Sequence, residues 1–213
     1  MPFFDSSARP ANGASAGGTA RSLASRLWYA DSPAGSVLQD GARAALTRIQ
    51  GPVGRVESAG DLEDEGVGVA LRRALAQPFA VFTRPRMEWY GCRGAFFHND
   101  AHYDGVLFGV WTLCGPDRDL VFPRIDCRIS ATVGTIVVFD PFEPHGVLAV
   151  GESRYCARDY QDSEPNLFLG FEIALTPEVR AMFGIGPAYE DAPTLSSRVA
   201  INPETGGFTT AGA

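Results

Sequence analysis

The chain has 213 residues, of which 45% are hydrophobic, so it is long enough to bury one core and we expect a single domain. The formal net charge is −7 and no basic block occurs, which argues against nucleic acid or an anionic membrane as a partner. The chain contains no lysine, which excludes Schiff-base chemistry and a lysine-containing phosphate loop.

Cellular location and redox state follow from two further patterns. No run of eighteen apolar residues and no signal-peptide pattern occurs, which predicts a cytoplasmic protein. The four cysteines form no Cys-x-x-Cys pair, so we expect reduced thiols and no zinc ribbon.

The N-terminal third is predicted to contain a tail and two helices. Residues 1–20 are small, polar and rich in Gly and Pro, which predicts a flexible tail. Helical periodicity then appears in SVLQDGARAALTRIQG, which ends on Gly51, and in VGVALRRALAQP, which stops at Pro78. Val67, Leu71 and Leu75 recur on one face, as expected of a helix that packs on a sheet.

After Pro78 the pattern predicts strands. The runs are FAVFT, MEWYG, GAFFH, VLFGVWTL, DLVFP, TIVVFD, GVLAV and LFLGFEIAL. Many short strands separated by turns indicate a sandwich or barrel, so we expect a mainly β fold with flanking helices and a β core over about residues 79–175. A short helix should run from Thr176 to Gly184. The folded domain would span residues 21–185, with an extended C-terminal tail over 186–213.

All three histidines lie in the β region. His98 and His102 each stand two residues before an aspartate, Asp100 and Asp104, which gives two overlapping His-x-Asp pairs. His145 follows a later strand in GTIVVFDPFEPHGV. Two imidazoles and one carboxylate on one face of an octahedron form the facial triad of non-haem Fe(II) oxygenases. We therefore expect one pair to bind a metal together with His145.

This pattern resembles the 2-oxoglutarate- and Fe(II)-dependent oxygenases. The resemblance covers residues 86–175 and rests on GAFFHND as the His-x-Asp strand, on DLVFP as the next core strand, and on GTIVVFDPFEPHGV with the distal histidine. It implies a double-stranded β-helix, which is a jelly-roll or cupin-like barrel, with N-terminal helices packed on one sheet. It further implies Fe(II), 2-oxoglutarate and O₂, with ascorbate as a stimulant. The implied reaction oxidises an unactivated C–H bond and releases succinate and CO₂.

The resemblance favours His98 and Asp100, with His145, as the metal ligands and catalytic residues. Family members often have a glycine four residues before the metal histidine, where this chain has Gly94, and a loop of several residues after the aspartate. The alternative pair is His102 and Asp104. A carboxylate at Asp100 favours hydroxylation over halogenation.

The remaining site residues are also implied by the resemblance. We expect His102, Tyr103 and Asp104 at the lip of the site, where they could contact substrate together with Trp111. The anchor for the distal carboxylate of 2-oxoglutarate must be arginine, because the chain has no lysine. The candidates in order of preference are Arg154, Arg158 and Arg124, the last because some members anchor from the strand that holds DLVFP.

The expected substrate is a small metabolite such as an amino acid, or a protein side chain. Two alternatives stay open from the sequence. One is a cupin-like metal enzyme, a dioxygenase or isomerase, that does not use 2-oxoglutarate. The other is a barrel that binds a ligand without catalysis.

Overall fold

The computed structural model describes residues 3–5, 15–16, 22–100, 102–103, 105–186, 194–195 and 199–210. The α-helices are α1 (Ser36–Leu46), α2 (Glu65–Leu75) and α3 (Pro177–Phe183). Short 3-10 helices occupy Pro78–Phe82, Pro123–Ile125 and Ala157–Tyr160. The strands are, in chain order, β1 (Phe3–Asp5), β2 (Ser15–Ala16), β3 (Arg26–Asp31), β4 (Glu57–Leu62), β5 (Thr83–Cys92), β6 (Ala95–His98), β7 (Val106–Cys114), β8 (Arg118–Phe122), β9 (Cys127–Ala131), β10 (Thr135–Phe139), β11 (His145–Leu148), β12 (Asn166–Ala174), β13 (Thr194–Leu195), β14 (Val199–Ile201) and β15 (Phe208–Thr210).

Two antiparallel sheets form the core of the fold. The large sheet has the order β1-β3-β10-β7-β12-β5-β4, and the small sheet has the order β6-β11-β8-β9. From β5 to β12 the chain crosses between the two sheets at each step, except that β8 and β9 are neighbours in the small sheet. This order is that of a double-stranded β-helix. The predicted fold class is therefore confirmed.

Helices cover the outer face of the large sheet, as predicted. Asp64 caps α2 by accepting a hydrogen bond from the Val67 backbone N–H (2.9 Å), and Ala76 ends the helix in the left-handed conformation. Leu71 and Leu75, on the predicted apolar face, are fully buried. They pack in a core that also contains Trp28, Leu38, Ala42, Phe79, Trp89, Trp111, Leu169 and Phe171.

A second apolar cluster fills part of the space between the two sheets. It joins side chains of β7 and β10 in the large sheet to side chains of β8 and β9 in the small sheet. Its members are Leu27, Phe108, Leu120, Phe122, Ile125, Cys127, Ile129, Val137 and Phe139. Because side chains alternate along a strand, the inner residues of each strand face this cluster and leave the outer face free for the helices.

The β region begins earlier than residue 79, which corrects part of the sequence interpretation. The sequence predicts two helices between residues 21 and 77 and no strand, but this segment also supplies β3 and β4, which pair with β10 and β5. The sequence ESAGDL of β4 has little strand propensity, and its pairing with β5 includes an irregularity near Gly60. Pairing with a neighbouring strand, not local propensity, therefore determines this element.

Two shorter segments also differ from the expectation. FAVFT was predicted as a strand, but Pro78 begins a 3-10 helix that continues to Phe82, because proline has the backbone angle that suits a first helical turn. β9 was not expected, since CRISA has one large apolar side chain, that of Ile129. The short helix α3 does begin after its Thr176 cap and end at Gly184, as predicted.

Only residues 3–5 and 15–16 of the predicted N-terminal tail are among the described residues. Within the segment expected to be a C-terminal tail, β14 and β15 pair as a hairpin. The connection between them lies beside β6, where the Phe97 backbone N–H donates to the carbonyl oxygen of Pro203 (2.9 Å). No helix in the described ranges is long and apolar enough to cross a membrane.

The contact between β7 and β12 gives a test of the core. Gly109 lies opposite Phe171, and a Cβ atom at Gly109 would overlap with the phenyl ring. We expect Gly109→Ala to lower the free energy of unfolding by roughly 1–3 kcal/mol because of overpacking. Gly35→Ala is the matched control, since no atom lies within 4 Å of a Cβ there, and it should cost less than about 1 kcal/mol. Urea unfolding of both variants measures this, and equal costs would contradict the packing.

Candidate metal centre

His98 and His145 lie side by side because their strands pair. His98 ends β6, His145 begins β11, and the two residues are directly opposite each other in the antiparallel ladder. Their ring centroids are 4.5 Å apart. Asp100 is brought to the same place by its backbone N–H, which donates to the carbonyl oxygen of Pro141 (2.7 Å). One ligand atom from each of His98, Asp100 and His145 lies within 4.8 Å of the others.

Both imidazoles are held with the same ring nitrogen toward the centre. His98 Nδ1 is 2.7 Å from the carbonyl oxygen of Phe96, and His145 Nδ1 is 2.8 Å from that of Glu143. Since a carbonyl only accepts, each Nδ1 carries the proton and each Nε2 keeps a free lone pair. Metal-binding histidines are usually oriented in this way.

The carboxylate of Asp100 completes the set. Its oxygens are 3.9 Å from His98 Nε2 and 3.6 Å from His145 Nε2, which is too far for hydrogen bonds. Three ligand atoms therefore surround a gap without satisfying one another. Two neutral imidazoles and one carboxylate are the donor set of the facial Fe(II) site, so the residues fit this metal.

Burial keeps His145 in the form that a metal requires. The residue is 5% exposed, and burial lowers the pKa of its imidazole to about 4, with nearby His98 acting in the same direction. At neutral pH the ring is therefore neutral and able to donate its lone pair. The side chains of His98 and Asp100 are each 24% exposed, so the open side of the centre lies next to them.

The three ligands lie at the edge of a cavity of about 230 Å³ between the two sheets. Its walls are mostly apolar side chains, which are Val56, Phe108, Val110, Leu120, Ala131, Phe139, Val147 and Phe168. Besides the three ligands, the polar residues that line it are Tyr90, His102, Tyr103, Thr112, Arg118 and Asn166. Arg118 begins β8, and Phe122, at the other end of β8, packs near the His145 ring. A polar group and the metal ligands thus stand at different ends of an apolar cavity.

Arg118 is the one arginine among the described residues that line this cavity. Its guanidinium lies 5.5 Å from the ring centroid of Tyr160, and it donates to the hydroxyl of Ser163. Its Nε is buried without a hydrogen-bond partner, as is Oδ1 of Asn166. A buried polar atom left unpaired costs about 1–3 kcal/mol. Two residues of the cavity wall thus each keep one buried polar atom without a partner.

The three predicted anchor arginines lie elsewhere. Arg154 has a side chain that is 66% exposed and pairs with Glu204 at 3.1 Å, while Arg158 is exposed. Arg124 makes a bidentate pair with Glu143. Arg118 was missed, although it opens the strand that holds DLVFP and points to the same face as Leu120, two residues on.

The residues predicted at the lip of the site lie in different places. His102 is exposed at the cavity mouth, with its ring 4.2 Å from that of Tyr103. Asp104 lies outside the described residues. Trp111 faces the helices, packs in the outer core and donates to the carbonyl oxygen of Ser32 (3.0 Å). It does not line the cavity, because it faces the opposite side of β7 from Val110 and Thr112.

Tyr103 takes part in a chain of hydroxyl groups at the cavity wall. Tyr90 donates to Glu88 (2.7 Å), and its oxygen is 2.9 Å from that of Tyr103. Burial and these hydrogen bonds raise the pKa of Tyr90 far above its usual value, so it stays protonated. Since the Tyr90 proton is used toward Glu88, Tyr103 donates to Tyr90. Tyr103 is therefore held in place beside the metal centre.

Comparisons with known proteins give weak structural similarities. No protein-family model matches the chain, and no curated protein matches its sequence. A prolyl-4-hydroxylase from Pseudomonas putida aligns with 70% of this chain and 92% of its own, at 13% identity and a TM-score of 0.46. A 2OG-Fe(II) oxygenase family protein from Burkholderia pseudomallei aligns with 70% and 84%, at 14% identity and 0.45. Iron-bound HygX from Streptomyces hygroscopicus aligns with 80% and 92%, at 12% identity and 0.40.

The geometry predicts which histidine variants lose the metal. We expect His98→Ala and His145→Ala to weaken binding of Co(II), used as an Fe(II) substitute, by more than about 100-fold, because changes to outer partners alone cost roughly 10–100-fold. His102→Ala should change the affinity less than about threefold, since its ring lies outside the converging set. Anaerobic titration of the Co(II) absorption measures this. Loss of binding in the His102 variant alone would show that the other His-x-Asp pair is the ligand.

Proposed function

We propose that this protein is a 2-oxoglutarate- and Fe(II)-dependent dioxygenase that hydroxylates an unactivated C–H bond. The observation that carries the proposal is the convergence of His98, Asp100 and His145 at one end of a barrel cavity with an arginine lining it. A binding barrel without chemistry gives no reason for two imidazoles to present free Nε2 lone pairs beside a carboxylate.

The cavity suits 2-oxoglutarate in its distribution of polar and apolar surface. This co-substrate has a keto-acid group that can chelate a metal, two methylene groups, and a carboxylate at its other end. The facial triad leaves three metal positions for it and for O₂. The five residues of β8 from Arg118 to Phe122 span about 13 Å, which the arginine side chain and the diacid would fill together. Leu120, between them, lines the cavity and would face the methylene groups.

Each residue then has a defined task. His98, Asp100 and His145 hold Fe(II), and Arg118 binds the distal carboxylate through charge-assisted hydrogen bonds. The iron, when bound, supplies the oxidative chemistry that converts 2-oxoglutarate and O₂ to succinate and CO₂ and oxidises the substrate. The apolar walls keep water away from the reacting groups. Ascorbate would keep the iron reduced.

The primary substrate would approach on the open side of the centre, beside His98 and Asp100. His102 and Tyr103 lie there and are the side chains available to contact it. We expect a small metabolite such as an amino acid, or a side chain of a protein. The net charge of −7 gives no reason to expect nucleic acid.

The function is tested first without a primary substrate. Anaerobic addition of Fe(II) and 2-oxoglutarate should produce the weak visible charge-transfer band of a chelated keto acid. With O₂ and ascorbate, slow formation of succinate should follow, and His145→Ala should abolish both signals. Tight binding of iron with neither band nor succinate would instead indicate a cupin-like metal enzyme that does not use 2-oxoglutarate.

The role of Arg118 is tested by comparing two arginines. Loss of a charge pair to the distal carboxylate costs on the order of 2–5 kcal/mol, so Arg118→Ala should weaken 2-oxoglutarate binding roughly thirtyfold or more. Arg154→Ala should leave it within about twofold, because Arg154 is exposed at the surface. Titration of the anaerobic band measures both, and Co(II) affinity should be unchanged in each. The reverse result would place the anchor at Arg154.

A further inference from the structure

The turn between β10 and β11 orients two of the three metal ligands through its backbone. We call residues 140–144 the ligand turn. The carbonyl oxygen of Pro141 accepts from the Asp100 backbone N–H (2.7 Å), and that of Glu143 accepts from His145 Nδ1 (2.8 Å). One five-residue segment therefore sets the position of a carboxylate from one strand end and of an imidazole from another.

The buried residue Asp140 fixes the first half of the ligand turn. Asp140 accepts from the Phe142 backbone N–H (3.1 Å) and from the Ala24 backbone N–H (2.9 Å). The Glu143 backbone N–H also donates to the carbonyl oxygen of Asp140 (2.9 Å). These bonds close the turn at its first half. They do not by themselves determine the direction of the Glu143 carbonyl.

The second half of the turn is held by an ion pair from another part of the chain. Arg124, in the 3-10 helix after β8, donates from Nε to both carboxylate oxygens of Glu143 (2.9 and 2.8 Å). The Glu143 residue is 4% exposed and the Arg124 side chain 14%. A planar guanidinium bonded to both oxygens restrains the rotation of the carboxylate and therefore its backbone.

The location of this pair is not explained by stability. Burying two charges costs several kcal/mol of desolvation, and an apolar pair of similar volume is often as stable. A buried ion pair directly beneath a metal ligand instead gives a directional constraint that apolar packing does not provide.

We propose that Arg124, acting through Glu143, is a positioning residue that aims His145 and, through the same turn, Asp100 at the metal. The inference rests on the metal site of the proposed function, but not on 2-oxoglutarate or on any primary substrate. It also gives Arg124 a different role from that of co-substrate anchor.

The test separates positioning from folding by removing both charges together. Arg124→Met/Glu143→Leu leaves no unpaired charge, so its free energy of unfolding without metal should stay near that of the wild type. Its affinity for Co(II) should fall about 10–100-fold, and the visible Co(II) absorption should shift, because the ligands are aimed less well. Arg124→Lys keeps the charge but loses the planar guanidinium, so its Co(II) affinity should lie between those of the wild type and the double variant.

A second ion pair, which joins β8 and β9 of the small sheet and is more exposed on its arginine side, provides the control. Arg128 pairs with Asp119, whose side chain is 5% exposed, and neither residue bonds to the ligand turn. Arg128→Met/Asp119→Leu should therefore leave Co(II) affinity and absorption unchanged. If the Arg124 double variant does not fold, Glu143→Gln, which keeps the side-chain shape but removes the carboxylate charge, is measured instead, and wild-type Co(II) affinity and absorption in this variant would overturn the positioning role.

The outcomes distinguish this inference from the proposed function. A folded Arg124 variant that binds Co(II) with wild-type affinity and absorption overturns the positioning role alone. An equal loss in the Arg128 control also overturns it, because the effect would then come from general loosening of the sheet. A wild-type protein that does not bind Co(II) overturns the metal site, and both proposals with it.

Discussion

The pairing of β6 with β11 is the constraint on which the metal centre depends. It sets His98 opposite His145 at the point where one strand ends and the other begins. Between this pair and the next, Ala95 with Val147, two residues of β6 face one residue of β11. Such a bulge bends a strand and redirects its side chains. The residue opposite is Gly146, and the Phe97 ring occupies the space that a Cβ there would need. The histidine pair therefore depends on local packing on the far side of the sheet.

The two sheets have different tasks around this pairing. The large sheet carries the helices on its outer face and contributes aromatic side chains to the inner one. The small sheet contributes both histidines and the arginine of the cavity, from β6, β11 and β8. The imidazoles and the guanidinium thus come from neighbouring strands of the small sheet, while the large sheet adds the polar side chains of Thr112 and Asn166. The apolar wall opposite them, with Phe108 and Phe168, leaves the imidazoles and the guanidinium as the groups that define where a ligand can bind.

Much of the fold was predictable because its signals are local. The short apolar runs VLFGVWTL and TIVVFD and the cap at Thr176 are patterns of neighbouring residues, and these elements were placed correctly. β4 was missed because its sequence has no strand pattern and its conformation comes from pairing with β5. The spacing of His98, Asp100 and His145 was readable in the same local way. The turn at Pro141 holds Asp100 at the metal centre and leaves His102 outside it, and this turn could not be predicted from residue spacing.

Arg118 shows why the rest of the site could not be predicted from the sequence. The spacing after His145 predicts an anchor in RYCARDY, after β11, but Arg154 at that position is exposed. In the structure this segment instead supports an arginine on another strand. Tyr160 lies under the Arg118 guanidinium, and its hydroxyl accepts from the Ala149 backbone N–H (2.7 Å).

Two more residues of this segment support the arginine. Tyr155 stacks on Tyr160 with ring centroids 5.2 Å apart, and Ser163 accepts from the Arg118 guanidinium. A buried cation needs such neighbours, because an arginine without them would turn toward water. The position of the cavity arginine is thus set by which strand start the segment over residues 155–163 can cover. That is the start of β8, and the segment contributes aromatic rings and a hydroxyl while its own Arg158 remains at the surface.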